Sequence, residues 1–261
     1  MLRTACLLLV VLLATACSGG GGSESAVEST TAEPPATTEA APTTTEPEPF
    51  PDVKPGQVLA RFVRAARARN TRGLWQLLSA PSQRRLGPTF EGFAARAAPG
   101  LARQVGVFVP GRSRVFLDEP ITSTFAVAAY GGRTTIGEGN PFGSYAAALR
   151  LEDGGWRIEL GGPVQLSPLG PDPGSSKRGT FQLAAGVEAN AAVAEAGIWL
   201  DGRSVPGRTA GAGDARQVTL FGDSTGRIPR GPHAVVAFAS TFADATALAW
   251  MFTYRGGSGS R

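Results

Sequence analysis

The stretch Gly222-Asp223-Ser224-Thr225-Gly226 has the G-x-S-x-G spacing. That spacing can place a serine hydroxyl on a sharp strand-to-helix turn, where it acts as a nucleophile beside an oxyanion-stabilising helix N-terminus. Such a serine needs a base, and the chain holds one histidine, His233. Acid–base chemistry could also come from two carboxylates at a set separation. Asp118, Glu119, Glu138 and Glu159 are the acids available for it in the first half of the folded chain.

The elements needed to position these groups are only partly present. "RQVTLF" before Ser224 reads as a strand, but "RIPRGPH" after it carries Pro229 and Pro232 and cannot open a helix. His233 follows the serine with no acid between residues 225 and 232. The hydrolase order requires one there, and the order of trypsin-like proteases, whose GDSGG differs from GDSTG by one residue, requires a histidine upstream. Ser224 is therefore expected in a turn between two strands. A serine hydrolase acting through Ser224 stays as an alternative. Among the four acids, strand alternation turns Glu159 away from Trp156, Ile158 and Leu160, and Asp118-Glu119 sit at a strand end before Pro120.

The N-terminus addresses location. Arg3 precedes an apolar run from Ala5 to Leu13, too short to span a bilayer. The run ends in "ATAC", small residues leading directly into Cys17. This resembles the lipobox of bacterial lipoproteins, which implies cleavage before Cys17, a lipid on its thiol and a position on the outer face of a membrane. Residues 1–16 are then the signal peptide. Cys6 falls within it, so no cysteine pair remains for a disulfide. Residues 17–52 hold seven acids and neither lysine nor arginine, with prolines at 34, 35, 42, 47, 49 and 51. Such a composition is expected to stay disordered and to act as an acidic stalk.

The remainder has the opposite sign, 24 lysines and arginines against 14 acids. A basic surface outside the cell favours anionic partners, such as lipid head groups or wall phosphates, and an exported chain is not expected to meet nucleic acid.

Residues 53–170 read as helices followed by strands. "PGQVLARFVRAARARN" gathers Val58, Leu59, Phe62, Val63 and Ala66 on one face, with Arg61, Arg64 and Arg67 opposite. A second helix starts at Asn70 or Thr71, and a third runs through "PTFEGFAARAA" to a stop at Pro99-Gly100. Strands follow in "SRVFLDE" and "TSTFAVAAY", then a hairpin in "SYAAALRLEDGGWRIELG" turning at Asp153-Gly154-Gly155. Helices before antiparallel strands argue an α+β domain. The order, ending in "EDGGWRIEL", resembles nuclear-transport-factor-2-like cone domains. The resemblance implies a curved sheet around the first helix and a pocket. Phe62, Trp75, Phe125, Leu149, Trp156 and Ile158 are expected to line that pocket or to fill the core. Enzymes of that family use His and Asp in the pocket, and residues 53–170 contain no histidine. Its non-catalytic members include N-terminal domains of penicillin-binding proteins.

Residues 168–176, "PLGPDPGSS", read as a linker. Residues 171–257 alternate strands with closely spaced turns, a sandwich pattern, and 258–261 form a tail. "IWLDGRSV" and "RGPHAVVAFASTFADATALAWMFTYR" resemble bacterial immunoglobulin-like domains. The expectation is a lipid-anchored, non-catalytic binding or protein-interaction module of the cell envelope, without a cofactor or metal. Its partner would be another envelope protein or an anionic wall or membrane component. A small-ligand carrier or enzyme using the cone pocket is the alternative.

Overall fold

The computed structural model describes residues 52–139, 141–211, 215–223 and 228–256, all within one compact unit. The signal peptide, the acidic stalk, Cys17 and Ser224 lie outside the described residues.

Five helices come first: α1 Pro55–Arg67, α2 Thr71–Leu77, α3 Ala80–Leu86, α4 Phe90–Arg96 and α5 Ala98–Val105. Their starts follow local chemistry. Asn70, Ser79 and Thr89 each accept a hydrogen bond from a backbone N–H three residues on, and so cap α2, α3 and α4. The expected stop at Pro99 is instead a start. Proline fits the first turn of a helix, where its missing N–H has no partner to lose, and Pro99 opens α5.

Thirteen strands follow among the described residues: β1 Phe108–Pro120, β2 Phe125–Thr134, β3 Phe142–Glu152, β4 Gly155–Glu159, β5 Gln165–Gly170, β6 Ser176–Lys177, β7 Gln182–Glu188, β8 Glu195–Leu200, β9 Arg203–Ser204, β10 Gly207–Gly211, β11 Gln217–Asp223, β12 Gly231–Ser240 and β13 Ala245–Tyr254. They form three sheets, ordered β1-β2-β3-β4, β6-β13-β12-β8-β9 and β10-β11-β7-β5. The first and third are antiparallel throughout; the second is antiparallel apart from the short parallel pair of β6 with β13. The β3–β4 turn has Asp153 and Gly154 at positive φ (49° and 71°), and the β8–β9 turn has Asp201 and Gly202 at 52° and 80°. Both pairs suit the right-handed twist of a two-residue hairpin.

Alternation along β2 and β12 explains how the sheets stack. On β2, Ala126 and Ala128 pack toward the helices, while Phe125, Val127 and Ala129 pack against Val236 and Phe238 of β12. On β12, Val235, Ala237 and Ala239 turn the other way, onto Leu183, Val187 and Leu220 of the third sheet. The first and second sheets are thus buried on both faces. The order of layers is helices, first sheet, middle sheet, outer sheet.

This overturns the cone-type α+β expectation for residues 53–170. The described residues are mostly β, 48% strand against 22% helix, and their helices are short. The physical reason lies in the alternate alanines and valines of "FAVAAY" and "SYAAAL". They serve a second sheet rather than a solvated sheet back. β5 occupies the start of the expected linker and pairs with β7 of the outer sheet.

Candidate functional site

The six residues expected to line a pocket do not share one. Phe62, Leu149, Trp156 and Ile158 are buried between the helices and the first sheet, and Trp75 packs against them half-buried. Phe125 lies on the opposite face of the sheet, at the seam with the middle sheet, with the Arg150 guanidinium 4.8 Å from its ring centroid. The helix-covered face is filled.

The acids each have a structural partner or none at all. Asp118 Oδ1 accepts the Gly56 amide at the start of α1 (2.9 Å), and Glu119 Oε2 accepts the Trp199 indole N–H across the seam (2.8 Å). Glu138 is exposed. The Glu159 side chain is fully buried. It accepts from Ser79 Oγ (2.6 Å), Arg85 Nη1 (2.8 Å) and Arg150 Nε (2.9 Å). Arg85 also binds Asp244, and Arg150 donates to the Ala243 carbonyl, so this cluster ties α3 and the first sheet to the β12–β13 turn. A carboxylate held by two guanidiniums and a hydroxyl is a strut, sealed from substrate.

His233 is 5% exposed. Its Nδ1 lies 2.6 Å from Asp201 Oδ2 and its Nε2 lies 2.8 Å from the Pro229 carbonyl oxygen. With both ring nitrogens engaged, the histidine fastens the β8–β9 turn to β12. Among the described residues, no group of three or more His, Cys, Asp or Glu side chains is placed to hold a metal ion, and no helix is long and apolar enough to cross a membrane.

What stands out instead is a surface of arginines on the helical layer. From Val53 to Leu117 the chain carries twelve basic residues and one acid, Glu91. The amphipathic pattern of α1 buries Val58, Leu59, Phe62 and Val63 and therefore exposes Arg61, Arg64 and Arg67. Two clefts flank the C-terminal half of α1. One, of about 530 Å³, is bordered by Arg61, Arg64 and, from β4, Arg157. The other, of about 620 Å³, has Leu74 and Ala98 in its floor and Arg67, Arg69 and Arg103 at its rim. None of these six arginines has an ion-pair partner among the described residues.

Arg69 is placed at a backbone cost. α1 ends with the Asn70 amide bonded to the Ala65 carbonyl and the Arg69 amide bonded to the Ala66 carbonyl. This double bond pattern puts Arg69 in the left-handed region, φ 52°, where glycine is the low-energy residue. Sequence reading found the α1 arginines by periodicity. Arg103 and Arg157 join them only through packing, which no local pattern reports.

No protein-family model matches this chain. No curated protein matches it either. An endo-beta-1,4-mannanase from Thermotoga petrophila is similar to 36% of the chain, over 20% of its own length, at 15% identity and a TM-score of 0.30. A likeness at that level carries no argument for fold or activity.

Proposed function

We propose that this chain is a membrane-anchored, extracytoplasmic lipoprotein, held through Cys17, whose folded body is a non-catalytic binding module for an anionic envelope component. The observation that carries the reading is the arginine surface on the helical layer. Six guanidiniums without an ion-pair partner among the described residues border two concave clefts, and one of them sits where glycine would cost less. Guanidiniums form forked hydrogen bonds to phosphate and carboxylate oxygens, so clefts of this kind receive anionic groups one at a time. The "ATAC" sequence ending at Cys17 supports the anchor, and the engaged nitrogens of His233 support a non-catalytic role.

The test uses the full chain and inorganic polyphosphate immobilised on a surface. The expected result is saturable binding that weakens steeply as salt rises from about 0.05 M to about 0.5 M, since exposed charges are screened. Replacing Arg61, Arg64 and Arg157 by glutamine is expected to weaken it about tenfold. Binding that ignores both salt and the triple substitution contradicts the proposal.

A further inference from the structure

A different surface, at the far end of the seam between the first and middle sheets, has the features of a ligand site. From the β1–β2 turn to Ala129 the two sheets are packed together, with Ala146, Ala148, Ala245, Ala247 and Ala249 in one cluster with Phe125, Val127, Val236 and Phe238. Toward the β2–β3 turn they part and leave a cleft of about 470 Å³, within the usual range for small-molecule sites. Its apolar walls are Phe116, Phe142 and Met251. Gly131 is required there, since a Cβ would sit 2.9 Å from the Phe116 ring.

The polar groups are few and sided. Arg112 and Arg114 of β1 stand exposed at the rim without a hydrogen-bond or ion-pair partner among the described residues. Arg133 lies over the Phe142 ring at 4.3 Å. On the opposite wall Asp201 has both oxygens engaged, Oδ1 by the Ala234 amide and Oδ2 by His233. Beyond the lining, Ser144 pairs with Gly131 and shares the seam-facing parity of Phe142 and Ala146. Its Oγ is buried and makes no hydrogen bond within the described structure, which is costly unless something else supplies the partner.

We propose that this cleft binds a small amphipathic anion. Its flat apolar body would lie between Phe116 and Met251, and a carboxylate, sulfonate or phosphate would face Arg112 and Arg114. The site is independent of the arginine surface on the helices, and either can fail without the other.

The probe is anilinonaphthalene sulfonate, an aromatic anion whose fluorescence rises in apolar surroundings, with uncharged N-phenylnaphthylamine as its partner. The full chain is expected to bind one equivalent of the anion saturably, about tenfold more tightly than the neutral dye. Arg112→Gln with Arg114→Gln, both exposed and so harmless to folding, is expected to remove that preference and leave neutral-dye binding unchanged. Met251→Trp, checked by an unchanged melting transition, is expected to displace both dyes by filling the cleft. Failure of the anion to bind, indifference to the Arg112/Arg114 pair, or loss of binding only on Arg67→Gln with Arg103→Gln would overturn the proposal. The last outcome would place the dye in the helical cleft.

Discussion

The two ends of the seam between the first and middle sheets are built from different side chains and behave differently. At one end alanines let the strands approach, and the buried Glu159 cluster pins the β12–β13 turn to the first sheet and α3. At the other end Gly131, Gly132 and Gly143 and the exposed Arg112 and Arg114 line the seam, and the sheets part into a cleft. The same four strands, β2, β3, β12 and β13, run through both ends. Side-chain size and charge, not strand topology, decide where a double-sheet interface is sealed and where it admits a ligand.

The sharpest way to break this contrast is at the sealed end. Glu159→Gln leaves Arg85 and Arg150 without their shared buried carboxylate and is expected to destabilise the protein by about 3 kcal/mol, read from denaturant unfolding. Next in size is a matched pair of enlargements. Ala148→Leu forces apart strands in close contact and is expected to cost about 1–3 kcal/mol. Ala234→Val, on the cleft wall, is expected to change stability by less than about 0.5 kcal/mol because the added methyls enter open space. Equal costs at the two positions would remove the distinction between the ends.

A smaller effect sharpens a second contrast, between stability and binding on the helical layer. Arg69→Gly relieves the left-handed arginine and is expected to stabilise the protein by about 1 kcal/mol while weakening polyphosphate binding. Thermal unfolding and surface binding on the same sample check both signs.

Local elements were largely legible in the sequence. Apolar periodicity marked α1, and turn chemistry marked the Asp153-Gly154 hairpin, because these signals act within a few residues. What was not legible is the stacking. Alternation shows that a strand has two faces, but an alanine-rich face reads alike whether it meets solvent, a helix or another sheet. That is why helices followed by strands ending in "EDGGWRIEL" suggested a cone domain and why Phe125 was grouped with Phe62 across the sheet from it. Pro99 was ambiguous for a related reason: proline ends one helix and opens the next with equal ease. The arginines of α1 were visible as a stripe, whereas the grouping with Arg103 and Arg157, and the whole seam cleft, depend on contacts between residues far apart in the chain.

The most direct test of an open and a sealed end is thiol reactivity, since the described residues contain no cysteine. In the full chain with Cys6→Ser and Cys17→Ser, Met251→Cys and Ala148→Cys would be labelled separately with an anionic methanethiosulfonate. The account predicts that Met251→Cys reacts at least about a hundredfold faster, with Ala148→Cys limited by unfolding of the stack. Comparable rates at the two positions, or faster reaction at Ala148→Cys, would contradict it.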